Sequence, residues 1–203
     1  MTSHFRNSPH KTAKRLILAS ASPRRAELLR GIGVRFKVVP SRVEEVEGGR
    51  LTPMEVALTN ACRKAMLLSE THCDAIIIGA DTVVAMGNRL YGKPSDRAEA
   101  AGMLRALSGR THEVITGVCL FRRSTGDLEL FAERTLVTFR RLTNRGISEY
   151  LRKVDVLDKA GAYGIQEHGD AVVRRISGSF SNVVGLPVER LLTALSVWGV
   201  LRA

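Results

Sequence analysis

Acidic residues are in short supply: 20 Asp and Glu stand against 31 Lys and Arg, for a net charge of +11 over 203 residues. A surplus of that size favours polyanionic ligands, whether nucleic acid, an acidic membrane surface or the phosphates of a nucleotide. Cysteine is scarce too. Cys62, Cys73 and Cys119 make an odd number with no C-x-x-C spacing. That argues against a disulfide framework and against a cysteine zinc site, and fits a reducing cytoplasm. Six Phe, three Tyr and one Trp are scattered, without the cluster that stacks RNA bases and without a zinc finger. No apolar run approaches the roughly 18 residues of a membrane span, so no membrane partner is expected. The opening MTSHFRNSPHKTAKR is basic but lacks the apolar stretch and cleavage site of a signal peptide. Residues 1–13 are expected to form a disordered basic tail ahead of a single domain over 14–203. The Gly-x-Gly at 31–33 closes a helical pattern rather than opening one, so it is no dinucleotide fingerprint.

What is present is organised around Ala75 to Pro94, AIIIGADTVVAMGNRLYGKP. Ile76, Ile77 and Ile78 read as a strand buried on both faces, ended by Gly79-Ala80 with Asp81 at its carboxyl edge. Ligands of open α/β sheets bind at such edges. A reversal at Met86-Gly87-Asn88 then brings Lys93 back, so that a carboxylate and an ammonium on two arms of a hairpin can face one ligand. Taken alone, Asp81 is better explained by capping a turn.

Upstream, RLILAS (15–20) reads as a strand, and Ser22-Pro23 as the cap and first position of a helix stopped by Gly31. Arg24 and Arg25 lie in its first turn, where cations oppose the helix dipole unless something negative arrives. Strand, serine turn, helix start and paired Arg suit a phosphate; from this segment alone, two solvated arginines are equally admissible. Val34 to Val39 reads as a second strand. Glu44, Glu45 and Glu47 follow on a loop, either solvated or able to help hold a magnesium ion beside phosphates. Thr52-Pro53-Met54-Glu55 opens a helix with a capping box; Lys64, near its far end, is unremarkable by itself. Asp96 and Glu99 read as another capping box, with Gly109 as the stop. Val114–Phe121 and Leu128–Phe139 read as paired strands, and Thr143 as the cap of a further helix. DKAGAYGIQ (158–166) is a glycine-rich loop of the kind that approaches ligands, Ala171–Ile176 a strand, and Pro187 to Trp198 the last helix. The sum is an α/β domain with a mixed sheet.

Six blocks in this order, LASASPRRAELL (18–29), GADTVV (79–84), GKP (92–94), LSGRTHEVITGV (107–118), DKAGAYGIQ and NVVGLP (182–187), resemble the Maf family of cytoplasmic nucleoside triphosphate pyrophosphatases. The resemblance covers about residues 15 to 198. It implies a mixed, curved sheet with flanking helices and two lobes around a cleft, like that of inosine triphosphatases. It implies cleavage of a nucleoside triphosphate between its α and β phosphates, with Mg2+ or Mn2+, as house-cleaning of the nucleotide pool. The family's functional residues fall on Ser20, Arg25, Glu45, Lys64, Asp81, Lys93 and Gln166. Asp81 falls on the general base, Ser20, Arg25, Lys64 and Lys93 on phosphate binding, and Glu45 with Asp81 on the metal. Arg24, Thr82 and Gln166 are similar to the dTTP/UTP branch rather than the 7-methyl-GTP branch, and modified pyrimidine nucleotides are admitted as substrates. The resemblance leaves room for a homodimer and implies no specific nucleic-acid partner. A basic nucleic-acid-binding or division-regulating protein is the alternative, supported by the charge alone.

Overall fold

The computed structural model describes residues 15–201, and the expected tail at 1–13 lies outside the described residues. A seven-strand sheet in the order β2-β1-β3-β5-β6-β7 forms the centre, with β4 paired to β3. Its strands are β1 Leu16–Ala19, β2 Lys37–Val38, β3 Ile76–Met86, β4 Arg89–Tyr91, β5 Thr111–Arg122, β6 Asp127–Phe139 and β7 Val173–Ser177. β1 runs parallel to β2 and β3, and the β3-β5-β6-β7 ladder is antiparallel, so the expected mixed α/β class is borne out. The helices are α1 Pro23–Gly31, α2 Pro53–Ser69, α3 Arg97–Leu107, α4 Asn144–Lys153, α5 Gly169–Val172, α6 Phe180–Val184 and α7 Val188–Val197.

Local chemistry sets most of these boundaries. Thr52 accepts from the Glu55 amide while Glu55 reaches back to the Thr52 amide, a complete capping box at α2. At α3 only half of the expected box forms. Asp96 accepts from the Glu99 amide at 2.7 Å, but the Glu99 carboxylate turns to the amide and hydroxyl of Ser95. Thr143 caps α4 through the Gly146 amide. Two glycine readings need correction. Gly31 is the last residue of α1 rather than its stop; Gly33, with φ of +80°, makes the left-handed reversal. Gly79 does not end a strand either, because β3 runs eleven residues in all, from Ile76 through Asp81 to Met86.

The reason for Gly79 is contact. A Cβ there would meet the Ala61 carbonyl oxygen at 2.0 Å, and one on Gly117 of β5 would meet that of Ala57 at 2.4 Å. Backbone of α2 therefore lies directly on backbone of β3 and β5, with Ala57, Ala61 and Ala65 fully buried between them. Strand alternation divides the rest. Ile17, Ala19, Ile77 and Cys119 pack under α2, while Leu16, Leu18, Ile76, Ile78, Ala80 and Val118 pack with Leu29 of α1 and Leu191 and Leu195 of α7 on the other face. The second half of β3 enters a separate core with α3, α4 and β7, holding Val84, Leu104, Phe139, Ile147 and Tyr163.

His112 belongs to that second core. It is 1% exposed, sits edge-on to Phe139 and Tyr163, and its Nε2 lies 3.0 Å from the Tyr163 hydroxyl. Burial pushes its pKa down to about 4. The unfolded chain therefore binds the proton first, and stability is complete above the ordinary histidine pKa and falls as pH drops from about 6.5 towards 4. The loss across that window should reach about 3 kcal/mol. Urea unfolding at stepped pH should show the slope in the wild type and a clear flattening in His112→Phe; identical slopes would contradict it.

Candidate active site

Asp81 and Thr82 are neighbours in β3, so their side chains point to opposite faces of the sheet. Asp81 shares the α2 face with Gly79, and Thr82 shares the α1 face with Ala80. Each is the centre of one hydrogen-bond network, and both border a cleft of about 740 Å3.

On the α2 side, Asp81 is 6% exposed. Its Oδ1 accepts from Lys64 Nζ at 2.7 Å and its Oδ2 from Asn60 Nδ2 at 3.2 Å. Lys64, itself 7% exposed, also holds Glu45 Oε1 at 2.6 Å, so one ammonium bridges two carboxylates. Asn60 and Lys64 are four residues apart and share one helix face. Asn60 also fastens the acidic loop: its Nδ2 donates to the Val46 carbonyl at 3.0 Å and its Oδ1 accepts from the Val46 amide at 2.8 Å. Lys64 is buried rather than solvated because the short side chains of α2 bring that helix down onto the sheet.

On the α1 side, Arg25 Nε donates to the Gly185 carbonyl at 2.8 Å, Nη2 to Thr82 Oγ1 at 2.8 Å and Nη1 to Ser20 Oγ at 3.4 Å. Burial pushes the guanidinium below its ordinary pKa, and the charges of Asp81 and Glu45 work against that shift. Ser20 is buried behind the cleft wall, where its Oγ accepts from the Ser22 amide and from Arg25. The Ser22 side chain makes no capping bond to α1. Thr82 Oγ1 also lies 2.9 Å from Thr116 Oγ1.

Of the remaining expected residues, Lys93 and Gln166 come from loops and Arg24 from the first turn of α1. Lys93, after β4, is exposed on the cleft wall, so the two arms of the hairpin do face one space. Arg24 Nη1 pairs with Asp158 Oδ2 at 2.8 Å. Burial would raise the Asp158 carboxyl, but bonds from Lys159 and Arg24 outweigh it and hold its pKa below the ordinary value. Gln166, eight residues further along the same loop, is exposed at the cleft. Arg24, Asp158 and Gln166 therefore belong to one wall. Thr82 stands apart from them, its oxygen turned to Arg25.

Among the described residues no group of three or more His, Cys, Asp or Glu could hold a metal. Glu45 and Asp81 nevertheless fit a hard cation that arrives with phosphates. Magnesium needs only one or two protein carboxylates when phosphate oxygens and waters complete its shell, and these two already converge on a single cation, the Lys64 ammonium. Asn60 and Thr116 are the residues that sequence reasoning missed. Asn60 carried a signal in its placement four residues before Lys64 on an alanine-rich face; Thr116 carried none outside its motif.

Removing the ammonium should leave a buried charge without its closest partner. Lys64→Met is expected to lower stability by about 3 kcal/mol at neutral pH, and Lys64→Met/Asp81→Asn to recover much of that loss. Urea denaturation of both variants checks this; a double variant no more stable than the single one would contradict it.

With the geometry in hand, three comparisons with known proteins are informative. The family profile described as Maf-like protein matches residues 15–198. A protein of Bacillus cereus named dTTP/UTP pyrophosphatase is 46% identical over 187 residues, covering 92% of this chain and 91% of the relative. One of Bacillus cytotoxicus with the same name is 48% identical over 182 residues, covering 90% and 94%. Among solved structures, the Staphylococcus aureus Ham1 protein superposes with a TM-score of 0.53 at 15% identity, over 92% of this chain and all of that one, a likeness of fold.

Proposed function

The chain belongs to the Maf family, and on that premise we propose that it is a nucleoside triphosphate pyrophosphatase acting on dTTP and UTP. The observation that carries the chemistry is the meeting of carboxylates and cations across one cleft: Asp81 and Glu45 with Lys64, and Arg25, Lys93 and Arg24 on the surrounding walls. The +11 charge, which alone supported a nucleic-acid binder, lies outside this cleft, whose lining carries as many acidic as basic side chains.

In this reading water attacks the α-phosphorus. Its oxygen forms the new P–O bond, the bond to the bridging α–β oxygen breaks, and pyrophosphate leaves with the electron pair. Asp81, held in place by Lys64 and Asn60, takes the proton of the attacking water. Arg25 and Lys93 meet the phosphate oxygens, and Lys64 stands near enough to share that charge. Glu45 and Asp81 would hold a divalent cation, Mg2+ or Mn2+, which when bound neutralises phosphate oxygens and orients the polyphosphate. Ser20 acts behind them by holding Arg25.

Base selection falls to the wall built by the loop 158–166. A uracil or thymine edge presents carbonyl, N–H and carbonyl, which needs both a donor and an acceptor. The Gln166 amide offers both, and it has no hydrogen-bond partner among the described residues. Arg24, held by Asp158, closes that side. A site that hydrogen-bonds its ligand rejects analogues lacking the matching group far better than an apolar slot.

Steady-state kinetics on dTTP, UTP, CTP and GTP test the proposal. Pyrophosphate release should be fastest for dTTP and UTP, and Asp81→Asn should lose about 100- to 10,000-fold in kcat with nucleotide binding retained. Equal kcat/KM across the four nucleotides would sink the pyrimidine assignment; Asp81→Asn with more than about a tenth of wild-type turnover would remove the base.

A further inference from the structure

The block LSGRTHEVITGV (107–118) sends no polar side chain to the cleft. His112 is accounted for in the second core; Thr116 is not. It is 0% exposed, midway along β5, and paired across the ladder with Thr82 of β3. Its hydroxyl lies 2.9 Å from Thr82 Oγ1 and 3.3 Å from the Asn182 carbonyl oxygen. Asn182 is itself fixed from within, donating to the Val114 carbonyl and to Thr135 Oγ1, each at 3.0 Å.

Reading the Thr116 hydroxyl as the donor to Asn182 gives this chain a direction. A carbonyl only accepts and a guanidinium only donates. The Asn182 carbonyl takes the single proton of Thr116, so the Thr116 oxygen accepts the proton of Thr82. The Thr82 oxygen is then open to receive Arg25 Nη2 at 2.8 Å. Donation runs from Arg25 to Thr82 to Thr116 to the backbone of α6, and the Gly185 carbonyl at the end of that helix accepts from Arg25 Nε.

We propose that Thr116 is a positioning residue whose buried hydroxyl fixes the orientation of Thr82 and, through it, the aim of the Arg25 guanidinium into the cleft. The inference rests on the reading of Arg25 as a phosphate contact. Without the hydroxyl, Thr82 loses its near acceptor and its proton turns to the Gly185 carbonyl, 3.4 Å away. The Thr82 oxygen then swings towards that carbonyl and away from the position in which it receives Arg25 Nη2, so the guanidinium loses one of its fixed contacts. The requirement is for the oxygen, not for the shape.

Thr116→Val keeps the shape and removes the oxygen, whereas Thr116→Ser keeps the oxygen and removes a methyl group. Two quantities are to be measured on each: kcat/KM for the best triphosphate, and the Kd of the non-hydrolysable α,β-methylene analogue of UTP. Melting temperatures are recorded beside them. Thr116→Val should lose about tenfold in kcat/KM, the size of one misdirected hydrogen bond, and several-fold in analogue affinity. Thr116→Ser should stay within about threefold of wild type in both, even if it melts earlier. Parallel losses in the two variants would make Thr116 a packing residue and overturn the proposal, as would unchanged activity and affinity in Thr116→Val. If Thr116→Val does not fold, Thr116→Ala against Thr116→Ser makes the same comparison. A wild type that prefers other triphosphates counts against the pyrimidine reading only, because the comparison is then made on the triphosphate turned over and on a non-hydrolysable analogue of it.

Discussion

Helix α2 lies with its backbone against the backbone of β3 and β5, and the candidate site depends on that contact. At Gly79 and Gly117 no side chain separates helix from sheet. Two polar residues of the helix, Asn60 and Lys64, consequently reach an aspartate in the middle of a strand rather than ending in solvent. Lys64 is 7% exposed and Asp81 is 6% exposed, a degree of burial that neither could sustain without the other. The paired charges, the two glycines and the alanine face of α2 are one structural arrangement.

Strand alternation then makes two sites of one dipeptide. Asp81 faces α2 and collects the carboxylates and the lysine; Thr82 faces α1 and collects Arg25, Thr116 and the Gly185 carbonyl. The cleft has an acidic centre on one side of β3 and a basic anchor on the other. That division suits a reaction in which a carboxylate activates water while cations hold phosphate oxygens. The loop carrying Asp158 and Gln166 adds a third wall, tied to α1 through Arg24. Adjacent residues of α1 thus serve different walls of the cleft, Arg24 one and Arg25 the other.

Much of this was legible in the sequence wherever a residue's role is local. Thr52 and Glu55 announced α2, Thr143 announced α4, and Gly87-Asn88 announced the β3-β4 hairpin, because caps and turns are decided by neighbours in the chain. The motif residues Arg25, Asp81, Lys93 and Gln166 were found as a set and do border one cleft. What escaped depends on distant contacts. Gly79 read as a strand terminator because glycine usually punctuates strands, and only the overlying helix explains why this one interrupts nothing. Gly31 and Gly33 both suit a helix end, and the choice between them is made by φ. Val34–Val39 read as a full strand, yet only Lys37–Val38 pair with β1. Asn60 and Thr116 are ordinary polar residues of a helix and a strand until burial leaves each with obligatory partners.

The most direct test of this account is to insert one methyl group at Gly79 and follow the chemistry rather than only the fold. Gly79→Ala places a Cβ where the Ala61 carbonyl oxygen lies 2.0 Å away, so α2 must lift from the sheet. The measurement is kcat for pyrophosphate release per folded molecule, at a temperature where circular dichroism shows the variant to be folded. A helix lifted by about 1 Å should carry Lys64 and Asn60 off Asp81 and cost about 100-fold in kcat. Wild-type turnover per folded Gly79→Ala molecule would contradict the account, because the site would then not depend on the contact from which it is argued to arise.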